Sequence, residues 1–332
     1  MADGEERSEG DGGLIADIRR RILRRPEIAD WKDLKWLVER PTRGGRATWD
    51  LSNDACVAVG GEPQAAWPAA ASVFCLLYSI HLVDDLLDDD PDGMYHTIGI
   101  AGAANAALAL QSVATMVLED LGLAPEAEVA AHRRLGEICL GTAYGQMLDS
   151  LDLGGEEAYW RVVDLKTPPL FAYALFVGAV TGSGDIELAT RVAGLGHTLG
   201  RMIQMSDDLN DAMEKPASPD WTRESTNLAI LYASTADHPE KEAFERLKTR
   251  VTEDEEALAE AQEILVRSGA FSYCNYQLIH TYREARSQID AMDLAVPQAL
   301  ITVFDHYVRP LKKLLESVGV EAPEELFEAG DG

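Results

Sequence analysis

From Leu14 onward, apolar and polar positions alternate with a helical period almost without interruption, in segments dominated by Ala, Leu and Glu. These segments break at Pro or Gly, around 41–45, 60–63, 91–93, 122–125, 154–155, 182–184 and 215–219. Proline cannot donate its amide and glycine is costly inside a helix, so both mark helix ends. No stretch shows the two-residue alternation with β-branched enrichment that a half-buried strand needs. Segments 69–83, 99–118 and 170–180 are apolar on every face, the pattern of inner helices in a large bundle. The pattern therefore predicts an all-α protein with one helical domain over 14–320. The Gly-, Glu- and Asp-rich stretch 1–13 is expected to be a disordered tail, and 321–332 an acidic one.

Composition narrows the partners. The 332 residues carry a net charge of −28, with 57 acidic against 29 basic side chains. Nucleic acid and anionic membrane surfaces both require a basic face, so neither is an expected partner. Four cysteines lie scattered in apolar stretches without C-x-x-C spacing, which suits reduced thiols in a cytoplasmic protein. The polar N-terminus has no signal-peptide core. Segment 99–118 is uncharged and long enough to span a bilayer, but Asn105, Gln111, Ser112 and Thr115 favour a buried helix over stable membrane insertion.

The candidate chemistry lies in two copies of D-D-x-x-D: Asp84, Asp85 and Asp88, then Asp207, Asp208 and Asp211, each behind an apolar helical run. Helical spacing puts the first and last aspartate of each copy on one face. Such clusters repel unless cations lie among them, and Mg²⁺ takes one or two carboxylates per ion with water and phosphate oxygens beside them. Two or three Mg²⁺ ions clamping a diphosphate fit this pattern. A solvated acidic loop is the competing reading of the first copy, whose run continues through Asp89, Asp90 and Asp92; the second copy weighs against it. A calcium loop opening at Asp88 fails at Gly99, where the closing glutamate belongs.

Further polar groups interrupt apolar surroundings. Gln146 and Asp149 lie one turn apart, and Lys166 and Thr167 precede a double proline. Gln204 precedes the second cluster, and Lys215 follows it. With these residues in order, the chain from about Arg43 to Ala233 resembles the all-trans isoprenyl diphosphate synthase (polyprenyl synthetase) family. The resemblance rests on both aspartate motifs, the G-Q-x-x-D ending at Asp149, the K-T at Lys166, Gln204 ahead of the second motif, the K-P at Lys215 and the LAILYA run at 228–233. It implies a class I terpenoid synthase fold around a deep cavity, a homodimer, and Mg²⁺-assisted ionisation of an allylic prenyl diphosphate. The six aspartates would hold the metal. Lys166, Thr167, Gln204 and Lys215 would serve catalysis, and Gln146 and Asp149 would serve substrate binding.

The departures concern the second substrate. Family members hold isopentenyl diphosphate with a G-G-K-R-x-R stretch and a paired arginine after the first motif. Here Arg46 is the one basic residue of that stretch; Ala47 and Trp49 stand at its two arginine positions, and Pro91-Asp92 stands at the arginine pair. A diphosphate not held by metal needs several cationic donors. The machinery for making an allylic cation is thus expected to be complete, and the site for the usual nucleophile eroded. The leading expectation is a cyclising terpene synthase; the alternatives are transfer to another acceptor, ordinary chain elongation and a silent subunit. The resemblance also implies a hydrocarbon channel along the helix entering the first motif. Ser79 and Ile80 would line it, with Tyr78 and Phe74 deeper, and substrates of C15 or C20 are expected.

Overall fold

The computed structural model describes residues 10–41, 47–223 and 227–317. Among them there is no strand. The helices are α1 (Gly10–Leu23), α2 (Lys32–Glu39), α3 (Asp50–Ala58), α4 (Trp67–Leu87), α5 (Tyr95–Met116), α6 (Pro125–Asp149) and α7 (Glu156–Lys166). After them come α8 (Pro168–Ser183), α9 (Ile186–Asp211), α10 (Leu228–Thr235), α11 (Lys241–Lys248), α12 (Glu255–Arg267), α13 (Ala270–Asp290) and α14 (Gln298–Ser317). The Pro/Gly breaks fall between helices or at helix ends, with α8 running through Gly182 to Ser183 and α6 starting on Pro125. One boundary differs: α1 starts at Gly10, inside the stretch expected to be a disordered tail. The acidic stretch 321–332 lies outside the described residues.

Packing divides the chain into two compact units, each built from separated stretches: 1–140, 170–196 and 294–300 in the first, 141–169, 197–293 and 301–332 in the second. In the first unit α4 packs against α1, α3 and α5. Ser72 ties this core together, its hydroxyl 2.8 Å from the Ala114 carbonyl and 2.7 Å from the Tyr173 hydroxyl. Segment 170–180 is enclosed almost all round, as its composition predicts.

Segment 99–118 is not an inner helix. On α5, Ala103, Ala106, Leu110 and Val113 are buried, whereas Ile100 is 68% and Leu108 66% exposed. A run of Ala, Gly and Leu carries no polar marker on its outward side, so periodicity alone cannot separate an inner helix from one with an uncovered apolar face. By length and composition 63–87, 95–121 and 156–183 could each cross a membrane, with 67%, 39% and 61% of their apolar windows buried.

In the second unit α10 packs on α7, α11, α12 and α13. Asn227 caps α10 by accepting from the amides of Ala229 and Ile230, and Asp254 caps α12 in the same way. Gln262 of α12 donates to the carbonyls of Ala212 and Glu214, both at 3.2 Å, holding the chain just beyond α9.

Candidate active site

In the second unit, two close approaches fix the chain break at Lys166. A Cβ on Gly145 would lie 2.7 Å from the backbone at Leu165–Lys166, and one on Gly200 would lie 2.6 Å from Pro168 Cα. Only glycine lets α6 and α9 approach the break this closely. The break is thereby held between two helices, with Lys166 and Thr167 presented at the junction of α7 and α8.

Lys166 Nζ donates to Asp149 Oδ2 at 2.9 Å, so two residues chosen on sequence grounds form one ion pair. Asp149 has a second cation that no motif announced. Arg223 Nη2 donates to Asp149 Oδ1 at 3.0 Å and to its main-chain oxygen at 2.6 Å. Gln146, one turn earlier on α6, is buried.

Thr167 and Gln204 also meet the second aspartate motif. Thr167 Oγ1 donates to Gln204 Oε1 at 3.4 Å, and Gln204 Nε2 donates to Asp208 Oδ1 at 2.9 Å. On its other oxygen Asp208 accepts from Tyr159 Oη at 2.6 Å and from the Leu228 amide at 2.7 Å. The side chain is fully buried. Asp208 therefore departs from the ligand set expected for metal: three donors occupy its carboxylate, and it welds the end of α9 to α7 and α10. Asn227 reinforces the weld, donating to the Asp208 carbonyl at 2.8 Å and to Asp220 Oδ2 at 3.2 Å.

Asp207 and Asp211 differ in kind. Neither carboxylate accepts a hydrogen bond among the described residues. Burial pushes Asp207 up to about 6, although solvent reaches the residue. Burial, then Asp220, Asp207 and Glu214, push Asp211 up to about 6. Burial raises Asp208 to about 7 against the pull of its three donors. Asp220, absent from the motif reading, joins this cluster through its charge on both Asp208 and Asp211. Lys215 is exposed, just beyond α9.

The first unit carries the other motif at the end of α4. At 100° per residue, Phe74, Leu77, Tyr78, His81, Asp84, Asp85 and Asp88 share one broad face. Asp85 Oδ2 accepts from the Met94 amide at 3.2 Å, and burial raises its pKa. Desolvation by surrounding atoms lowers that of His81, although solvent reaches the residue, against the neighbouring Asp85 and Asp84. The remaining aspartates belong to the turn: Asp89 accepts from Tyr95 Oη at 2.9 Å and Asp90 from the Asp92 amide at 2.8 Å.

Ser79 does not line this face. It points the opposite way, is buried, and donates to the Ala107 carbonyl of α5 at 3.0 Å. Ile80 flanks the aspartate face and is half-buried. Tyr78 and Phe74 stack at 4.3 Å, and Trp49 packs on Phe74 at 5.1 Å. Arg46 lies outside the described residues. Arg133 and Arg134 pair with Glu137 on α6, the Arg134 guanidinium lying 5.4 Å from the Phe176 ring.

Among the described residues no three His, Cys, Asp or Glu side chains are grouped closely enough to hold an ion by themselves. Mg²⁺ does not need such a cage, because phosphate oxygens and water complete its shell. The donor set fits that ion. Asp207 and Asp211 offer carboxylate oxygens that accept no hydrogen bond among the described residues, and burial is the first cause of the raised pKa of each.

A profile of the Polyprenyl synthetase family matches residues 43–265. Among characterised proteins, the short chain isoprenyl diphosphate synthase of Methanothermobacter thermautotrophicus is 27% identical over 254 residues, 71% of this chain and 77% of that protein. The geranylgeranyl diphosphate synthase of Methanosarcina mazei is 27% identical over 271 residues, 76% of this chain and 82% of that one. In three dimensions, the polyprenyl synthetase of Streptomyces coelicolor A3(2) matches with a TM-score of 0.75 at 24% identity, over 89% of this chain and 97% of that one. The geranylgeranyl pyrophosphate synthase of Corynebacterium glutamicum, complexed with calcium and isoprenyl diphosphate, matches at 0.71 and 21% identity, over 92% and 99%. The fold is the class I terpenoid synthase fold.

Proposed function

The chain belongs to the polyprenyl synthetase family, and from that premise we propose that it ionises a C15 or C20 allylic prenyl diphosphate with Mg²⁺ and that the cation is captured by its own chain. Membership makes it a class I terpenoid synthase or prenyltransferase acting on prenyl diphosphates. Two or three Mg²⁺ ions would be held by Asp84, Asp85 and Asp88 and by Asp207 and Asp211. The metal stabilises charge on the departing pyrophosphate. Lys166 and Lys215 add positive charge for the same leaving group. Thr167 and Gln204 hold the break beside Lys166 in register with Asp208.

The observation that carries cyclisation over elongation is Trp49. It stands where the family places an arginine, is 9% exposed, and packs on Phe74. An indole in an aromatic stack offers no charge to a second diphosphate. Asp92 brings negative charge where the arginine pair is expected, and Arg133 and Arg134 are engaged by Glu137. The second reading is an ordinary chain-elongating synthase, and the names of the characterised relatives favour it. Adding isopentenyl diphosphate separates the two: capture by the chain itself predicts no longer diphosphate, whereas elongation predicts one.

A homodimer accounts for the uncovered side of α5 and for Val129 and Leu140 on α6, which are 68% and 76% exposed. Buried thiols at Cys56, Cys75 and Cys274, none in a disulfide, support a cytoplasmic location.

A further inference from the structure

Asp149 carries one negative charge and faces two cations. Its carboxyl side chain is 9% exposed, with Lys166 on one oxygen and Arg223 on the other, and those partners are 23% and 26% exposed. Two cations thus share this one carboxylate, and both are more exposed than it is. Arg223 uses Nη2 alone on Asp149, twice. A guanidinium has five donors in a rigid fork, and among the described residues its Nε and Nη1 meet no acceptor. A guanidinium needed only to tie the chain to the end of α6 would be complete with the bond to the Asp149 carbonyl. The shared carboxylate instead brings Arg223 to the lysine that the K-T motif assigns to the diphosphate. It also lies three residues after Asp220, which acts on Asp208 and Asp211.

We propose that Arg223 is a further diphosphate-binding residue, acting with Lys166, and that Asp149 holds the two cations in position for phosphate oxygens. Arginine suits this task because its fork meets two oxygens of a phosphate at once. This rests on the reading of the protein as a prenyl diphosphate enzyme and adds to it a ligand that none of the motifs contains.

The test is binding of inorganic pyrophosphate, with Mg²⁺ present, to the full chain by isothermal titration. The unaltered protein is expected to bind. Arg223→Gln should bind at least tenfold more weakly, and Arg223→Lys should fall between the two. Arg201→Gln, which removes a comparable pair with Asp164 elsewhere in the same unit, should bind as the unaltered protein does. A second readout needs no variant: pyrophosphate with Mg²⁺ should protect Arg223 from phenylglyoxal, followed by mass spectrometry. Arg223→Gln binding within twofold of the unaltered protein overturns the assignment, as does unprotected modification of Arg223 in the pyrophosphate complex. Failure of the unaltered protein to bind pyrophosphate at all would instead remove the reading beneath it.

Discussion

Asp207 and Asp208 are neighbours with the same side chain and opposite surroundings. Asp208 is buried under donors from Tyr159, Gln204 and Leu228, and Asp207 has none among the described residues. Asp208→Ala should therefore act on stability, leaving three donors without an acceptor at roughly 1–3 kcal/mol each, measured by denaturant unfolding without metal. Asp207→Ala should leave metal-free unfolding unchanged at acid pH, where that carboxyl is protonated, and raise stability above about pH 6 by removing a charge that burial disfavours. It should also cut pyrophosphate release by about a hundredfold or more. In the proposed metal role, protons and Mg²⁺ compete for Asp207 and Asp211. Their folded values, about 6, lie above the unfolded carboxylate value. Without metal, stability from this pair is present at low pH and is lost as pH rises through about 6. Mg²⁺ holds the charged form, so its Tm increment should be large at pH 8 and small at pH 5.5; equal increments would contradict the assignment. Spacing made the cluster legible but could not rank its members, because the residues that separate Asp208 from Asp207 lie far along the chain. Arg223 and Asp220 escaped for the same reason. Neither sits in a repeating pattern, and each gains its place only when the segment after α9 folds back.

At the scale of single helices, the breaks were legible because proline and glycine act locally. The facing of α4 was not. Counting residues back from Asp84 selects Ser79, whereas the helical rotation turns Ser79 onto α5 and brings Tyr78 and Phe74 to the aspartate side. Tyr78 lies roughly 9 Å and Phe74 roughly 15 Å along the axis from Asp84 at 1.5 Å per residue. Tyr78→Ala should accordingly shift preference toward longer allylic diphosphates, read as the ratio of kcat/KM for C20 over C15. Ser79→Phe should leave that ratio alone and lower stability by about 1–3 kcal/mol through overpacking. A changed ratio in Ser79→Phe with none in Tyr78→Ala would restore the reading from residue counting. On α5, Leu108→Glu should convert a dimer to monomers in analytical ultracentrifugation. An unaltered protein that is already monomeric and binds vesicles would assign that face to a membrane instead.

For the molecule as a whole, the family and fold were legible because they rest on ordered motifs, whereas the reaction outcome depends on what replaced the basic pocket. Each charge-assisted hydrogen bond to a diphosphate contributes roughly 1.5–3 kcal/mol. Losing three or more such bonds at Ala47, Trp49, Pro91 and Asp92 should therefore weaken isopentenyl diphosphate binding by about a thousandfold or more. The most direct measurement is incubation of the protein and Mg²⁺ with farnesyl or geranylgeranyl diphosphate, with and without sub-millimolar isopentenyl diphosphate, followed by product analysis. The account predicts pyrophosphate and a hydrocarbon or alcohol of unchanged carbon number in both arms, at the same rate. Efficient formation of a longer prenyl diphosphate when isopentenyl diphosphate is added would contradict it.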